Sequence, residues 1–120
     1  MRVAVCSAGT AEADQLRHWI EQYCALYHLS AAVSCFSRPE EFHRAGPFDL
    51  VFAGYGGSAG FLFARALRER DRRCRIVLVD DTPEYAVHGI RLQCSDFLLR
   101  PVTFSGLVRS MKLAVGGGAL

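Results

Sequence analysis

Short runs of consecutive apolar residues alternate along the chain with stretches in which apolar residues recur every three or four positions. Val3-Ala4-Val5-Cys6 is apolar throughout and breaks at Ser7-Ala8-Gly9-Thr10, which predicts a buried strand followed by a turn, with Thr10 as N-cap of the next helix. Leu16, Ile20, Tyr23, Cys24 and Tyr27 then fall on one helix face. Ala31–Phe36 reads as a second strand. Ser37-Arg38-Pro39-Glu40-Glu41 has an early Pro and acids in the first turn, the start of a short helix that stops near Gly46-Pro47. Leu50-Val51-Phe52-Ala53 is apolar on both faces, as a central parallel strand requires. The glycine-rich loop Gly54-Tyr55-Gly56-Gly57-Ser58 opens a helix with Phe61, Ala64 and Leu67 on its apolar face. Ile76–Val79 is a fourth strand, Pro83–Leu92 a weak helix and Asp96-Phe97-Leu98-Leu99 a fifth strand. Phe104, Leu107, Val108 and Met111 mark the last helix.

Five strands alternating with five helices predict an α/β fold, an open parallel sheet covered on both faces. Such folds work at the carboxyl ends of the strands, near the switch in strand order. Function is therefore sought at Ser7-Ala8, Gly54–Ser58, Asp80–Thr82 and Arg100. Residues 1–115 form the expected domain, and 116–120, with three glycines, a flexible tail or the start of a linker. At 120 residues a second domain of ordinary size is not expected.

Composition narrows the choices. The 14 Lys+Arg against 12 Asp+Glu leave a net charge of +2, too little by itself to mark a nucleic-acid binder. The apolar runs fall short of the roughly 20 residues of a membrane span, and no signal peptide is visible, so a cytoplasmic protein without membrane contact is expected. The five cysteines (Cys6, Cys24, Cys35, Cys74, Cys94) are scattered without a CxxC. That favours small buried hydrophobes in a reducing compartment over a disulfide frame or zinc site.

The segment Glu84-Tyr85-Ala86, Gly89 and Asp96-Phe97-Leu98-Leu99-Arg100-Pro101 resembles the receiver domains of bacterial response regulators, and its spacing is similar to receivers of the LytTR group. Met1–Cys6, Phe48-Asp49-Leu50-Val51-Phe52 and Ala64-Arg65 with Leu67-Arg68 extend the resemblance over residues 1–115. It implies a flavodoxin-like five-stranded parallel sheet of order 2-1-3-4-5 with five helices. It also implies an Arg100–Pro101 peptide bond in the cis form. In that family an Asp after the third strand takes a phosphoryl group, and an acidic pair after the first strand holds magnesium. A Thr or Ser ends the fourth strand and a Lys precedes Pro after the fifth. Position by position these fall on Gly54, on Ser7 and Ala8, on Asp80 and on Arg100. The loop after the acceptor is about two residues shorter than the family's.

The departures change the chemistry. Magnesium needs hard oxygen ligands, and neither Ser7 nor Ala8 supplies charge. Gly54 offers no nucleophile. Asp80 and Asp81 are the only carboxylates expected nearby. Asp49 starts the third strand, about 16 Å from its working end at roughly 3.3 Å per residue. The expectation is a degenerate phosphorylation pocket made of Ser7, Ala8, Gly54, Asp80 and Arg100, with no metal, cofactor or catalytic residue.

Asp80 would repel a phosphoryl group by about 4 kcal/mol at 4 Å near a surface. It would also attract Arg100. A fixed Asp80–Arg100 ion pair is one reading, and a solvent-exposed pair worth about 0–1 kcal/mol is the plainer one. The loop residues Gly54, Gly56, Gly57 and Ser58 could hold a small anion or nucleotide, or could simply fill a loop emptied of chemistry. The Arg65–Arg75 cluster, interrupted by Glu69 and Asp71, reads as a solvated helix end with i, i+4 pairs. Cys6 beside the pocket reads as inert core rather than a redox group.

The resemblance implies a phosphorylation-independent signalling domain acting by protein contact. Its partner, a second copy or another protein, would meet the face of the fourth helix, fifth strand and fifth helix, with Tyr85, Val87, Ile90, Phe97, Phe104 and Val108 as contributors. The alternative is a ligand-sensing pseudo-receiver. DNA contact is expected only from an output domain beyond Leu120.

Overall fold

A computed structural model of the chain describes residues 1–116. Five strands, β1 (Arg2–Cys6), β2 (Ala32–Phe36), β3 (Leu50–Ala53), β4 (Arg75–Asp80) and β5 (Asp96–Leu99), form one parallel sheet of order β2-β1-β3-β4-β5. The helices are α1 (Thr10–Leu26), α2 (Pro39–Arg44), α3 (Gly57–Arg70), α4 (Ala86–Arg91) and α5 (Phe104–Met111). A short 3₁₀ turn at Pro83–Tyr85 leads into α4, and a wider turn at Lys112–Gly116 follows α5. Of the expected tail at 116–120, residues 117–120 lie outside the described residues.

Because strand side chains alternate in direction, the all-apolar strands feed two cores. Val3, Val5, Leu50, Phe52, Val77 and Val79 point toward α1 and α5, where Leu16, Ile20, Leu107 and Met111 are buried. Ala4, Cys6, Val51, Ala53, Ile76 and Leu78 point the other way, onto Phe42, Phe63, Ala64 and Leu67 of α2 and α3. An apolar run of four thus has both faces covered, which is why β3 is wholly buried.

Several local expectations need correction. Gly9, not Thr10, caps α1. It makes no side-chain cap, and the Ser7 hydroxyl accepts from the Gly9 N–H instead. α1 ends at Leu26, where His28 turns left-handed with φ 56° and Leu29 N–H donates to the Cys24 carbonyl. Tyr27 therefore leaves the buried face and is half exposed. On α3 the buried aromatic is Phe63, while Phe61 rotates toward α4 and stacks on Tyr85 at 5.3 Å. Arg68 is buried rather than solvated. Its guanidinium donates to the carbonyls of Leu92, Cys74, Asp71 and Gln93 and ties the loops flanking β4 together. The neighbouring Arg65–Glu69 pair, at 3.9 Å and exposed, is the solvated i, i+4 contact expected there.

Candidate functional site

The register sets the site. Cys6 pairs with Ala53, so Ser7 and Gly54 leave β1 and β3 side by side at the point where strand order reverses. Asp80 pairs with Leu99, and the Arg100 N–H donates to the Asp80 carbonyl at 2.8 Å. The peptide bond between Arg100 and Pro101 is cis, as the resemblance implied.

The Asp80–Arg100 ion pair does not form. Both Asp80 carboxylate oxygens accept from the Gly57 N–H at 3.1 Å, and one also accepts from the Asp81 N–H at 2.7 Å. Gly56 and Gly57 take φ values of +82° and +62°. That left-handed turn, open to glycine without steric cost, presents the first N–H of α3, from Gly57, to Asp80. A carboxylate at the positive end of a helix is favourable. It also occupies the place an external anion would use, so the Gly54–Ser58 loop has an internal anion at its helix end.

Arg100 turns instead to Glu12, 88 residues away in sequence. Its Nε and Nη2 donate to Glu12 Oε2 and Oε1 at 2.7 and 2.9 Å, a bidentate fork. Nη2 also donates to the Gly54 carbonyl, and Nη1 lies 3.6 Å from Asp81 Oδ1. The Ser7 hydroxyl donates to Glu12 Oε1 at 2.8 Å. The two side chains are mostly covered, at 20% exposed for Arg100 and 24% for Glu12. Burial alone raises the Glu12 pKa, but hydrogen bonds from Arg100 and Ser7 more than offset it and hold the carboxyl below its ordinary value. The same bond to Glu12 keeps Arg100 firmly protonated. A Lys would offer a point charge here, whereas the planar guanidinium grips a carboxylate and a carbonyl together.

Gly54 is closed in. A Cβ there would stand 2.8 Å from the Cys6 carbonyl oxygen, 3.1 Å from Arg100 Nη2 and 3.4 Å from Val79 Cβ. Ser7 is buried beside it and Ala8 is exposed. Asp49 lies at the opposite strand end, where it accepts from the Arg2 N–H at 2.7 Å. Cys6 is buried, and desolvation pushes its thiol up to about 12, so it stays protonated. All five cysteines are free.

Glu12 is the residue that reading the sequence missed. The available signal was an acid two residues into the helix that follows β1, but such an acid has a sufficient local explanation in the helix dipole. Among the described residues no cluster of three or more His, Cys, Asp or Glu side chains could hold a metal, and no helix is long and apolar enough to cross a membrane.

The candidate partner face is divided. Val87 and Ile90 of α4 are 65% and 75% exposed, and Phe104 is about half exposed. Leu99, not anticipated, is also half exposed. Tyr85 is drawn inward onto Phe61, and Phe97 and Val108 are partly buried against the two cores.

Among solved structures, the chain is similar to the BeF3-activated DrrB receiver domain, with a TM-score of 0.78 at 16% identity over 96% of this chain and 97% of that one. The chain has the receiver-domain fold. The response regulatory domain of mrkE from Klebsiella pneumoniae aligns with a TM-score of 0.77 at 19% identity over 97% of both chains. A response regulator receiver protein from Pseudoalteromonas atlantica aligns at 0.78 and 17% over 98% of both. No protein-family model and no curated protein matches the sequence.

Proposed function

We propose that this chain is a receiver-like domain that signals by protein–protein contact without being phosphorylated. The observation that carries the reading is the closure of the Gly54 position. Backbone and a guanidinium occupy the space where the receiver fold would place its phosphoryl acceptor, and Arg100 is already spent on Glu12. The scaffold then keeps one arrangement of its strand ends instead of switching between two.

The contact surface on this reading is the face of α4, β5 and α5. Val87, Ile90, Leu99 and Phe104 give that region exposed apolar area that a monomer gains nothing by displaying. The partner is a second copy or another protein, DNA contact is not assigned to these residues, and the domain works in the cytoplasm.

The test treats the protein with acetyl phosphate, or beryllofluoride, and magnesium, followed by intact mass and NMR. No added phosphoryl mass and no broad spectral change are expected. A phosphorylated species, or shifts spreading from the strand ends, would overturn the reading. In parallel, Ile90→Glu should weaken association in sedimentation while leaving the melting temperature unchanged.

A further inference from the structure

A groove of about 530 Å3 lies between α1 and the Arg100–Val102 segment, and its Trp19 packs edge-on against Phe104 of the proposed partner face at 5.7 Å. Leu16, Trp19, Pro101 and Val102 give it an apolar wall, and Glu12, Asp81 and Arg100 give it a charged end. Its size and its mixture of apolar wall with a few convergent polar groups match small-molecule sites. The charges do not balance. Arg100 is the one cation among the lining residues, and its fork is taken by Glu12 and the Gly54 carbonyl. Asp81 is 75% exposed, and among the described residues its carboxylate makes only the 3.6 Å contact with Arg100. An exposed carboxylate and an indole lining one groove are the chemistry that recognises an organic cation.

We propose that this groove binds a small organic cation, an amine, amidine or guanidine on an aromatic or alkyl body. The charged head pairs with Asp81, and the body lies against Trp19 and Pro101. An anion of the same shape would meet carboxylates instead, and a neutral analogue would leave Asp81 unpaired. Because Asp81 and Glu12 both contact Arg100, a bound cation competes for the carboxylates that hold that side chain.

Trp19 is the only tryptophan in the chain, so its fluorescence reports on the groove wall and on its edge contact with Phe104. Titration with benzamidine should give a saturable change with a Kd of about 1 mM or tighter, as a fragment of that size allows. Benzoate and benzyl alcohol should bind at least about fivefold more weakly. Asp81→Asn should weaken benzamidine about fivefold, the scale of a partly exposed ion pair. Gln15→Arg, which adds a cation at the rim, should weaken it as well. Both replaced side chains lie on the surface, and circular dichroism melting confirms that each variant is folded. No saturable response, equal responses to benzoate or benzyl alcohol, or wild-type affinity in both variants would overturn the proposal.

Discussion

Replacing Glu12 by Gln and Arg100 by Met, singly and together, measures what the long-range fork contributes. Exposed ion pairs are worth roughly 0.2–1 kcal/mol, and breaking a fully buried one costs about 3–5 kcal/mol. This pair has two short charge-assisted hydrogen bonds and side chains about four-fifths covered, so a coupling near 2 kcal/mol is expected. The single changes are not equivalent. Arg100→Met leaves the Glu12 carboxylate with Ser7 as its remaining side-chain donor and removes the donor to the Gly54 carbonyl, at a cost of about 3 kcal/mol. Glu12→Gln leaves Arg100 its contacts with Gly54 and Asp81 and should cost about 2 kcal/mol. The double variant should then lose about 3 kcal/mol rather than the additive 5.

Urea unfolding of the four proteins measures the cycle. Its pH dependence follows from Glu12, whose folded pKa lies below its ordinary value because Arg100 and Ser7 outweigh burial. A depressed folded pKa contributes stability that is complete above the unfolded value of about 4.3 and is lost as pH falls through the folded value. The coupling should hold from pH 8 to about 5 and shrink below about 4. Additive losses at pH 7, or a coupling that grows in acid, would refute the reasoning.

Gly54→Ala should lose about 1–2 kcal/mol in urea unfolding. Overpacking against the Cys6 carbonyl outweighs the gain of up to about 1 kcal/mol that Gly→Ala brings through the unfolded chain. A stabilised variant would mean that the position is open. Arg68→Ala should cost about 2–4 kcal/mol and speed amide exchange around Leu92–Cys94, because four loop carbonyls lose their donor. A loss within 0.5 kcal/mol would place Arg68 among ordinary surface residues. With its pKa near 12, the Cys6 thiol is about one part in ten thousand thiolate at pH 8, so iodoacetamide should label it only on unfolding. Labelling at the rate of the urea-unfolded chain would contradict its burial.

The strands were the most legible elements. Leu50–Ala53 and Asp96–Leu99 coincide with the segments read from apolar runs; for Leu50–Ala53 the reason is that a strand buried on both faces leaves no position for a polar residue. The short α2 was legible for a similar reason, since Pro39 and two acids mark a helix start without outside help. The end of α1 was less so, because a histidine in left-handed backbone stops it where a glycine would have advertised the stop.

The site shows where local reading ends. Gly54, Ser7, Ala8 and Arg100, the residues expected at the strand ends, all stood in the chain as written. The sequence therefore determined the sheet and, through the resemblance, its strand order. Only the tertiary structure decided how the remaining charges pair. Asp80 lies near Arg100 yet binds the α3 N-terminus, Arg100 reaches across to Glu12, and Arg68 leaves solvent for four carbonyls. Hydrophobic periodicity is a property of neighbours along the chain and survives in one dimension. An ion pair is a competition among all groups within a few ångströms, and those groups assemble only when the helices close over the sheet.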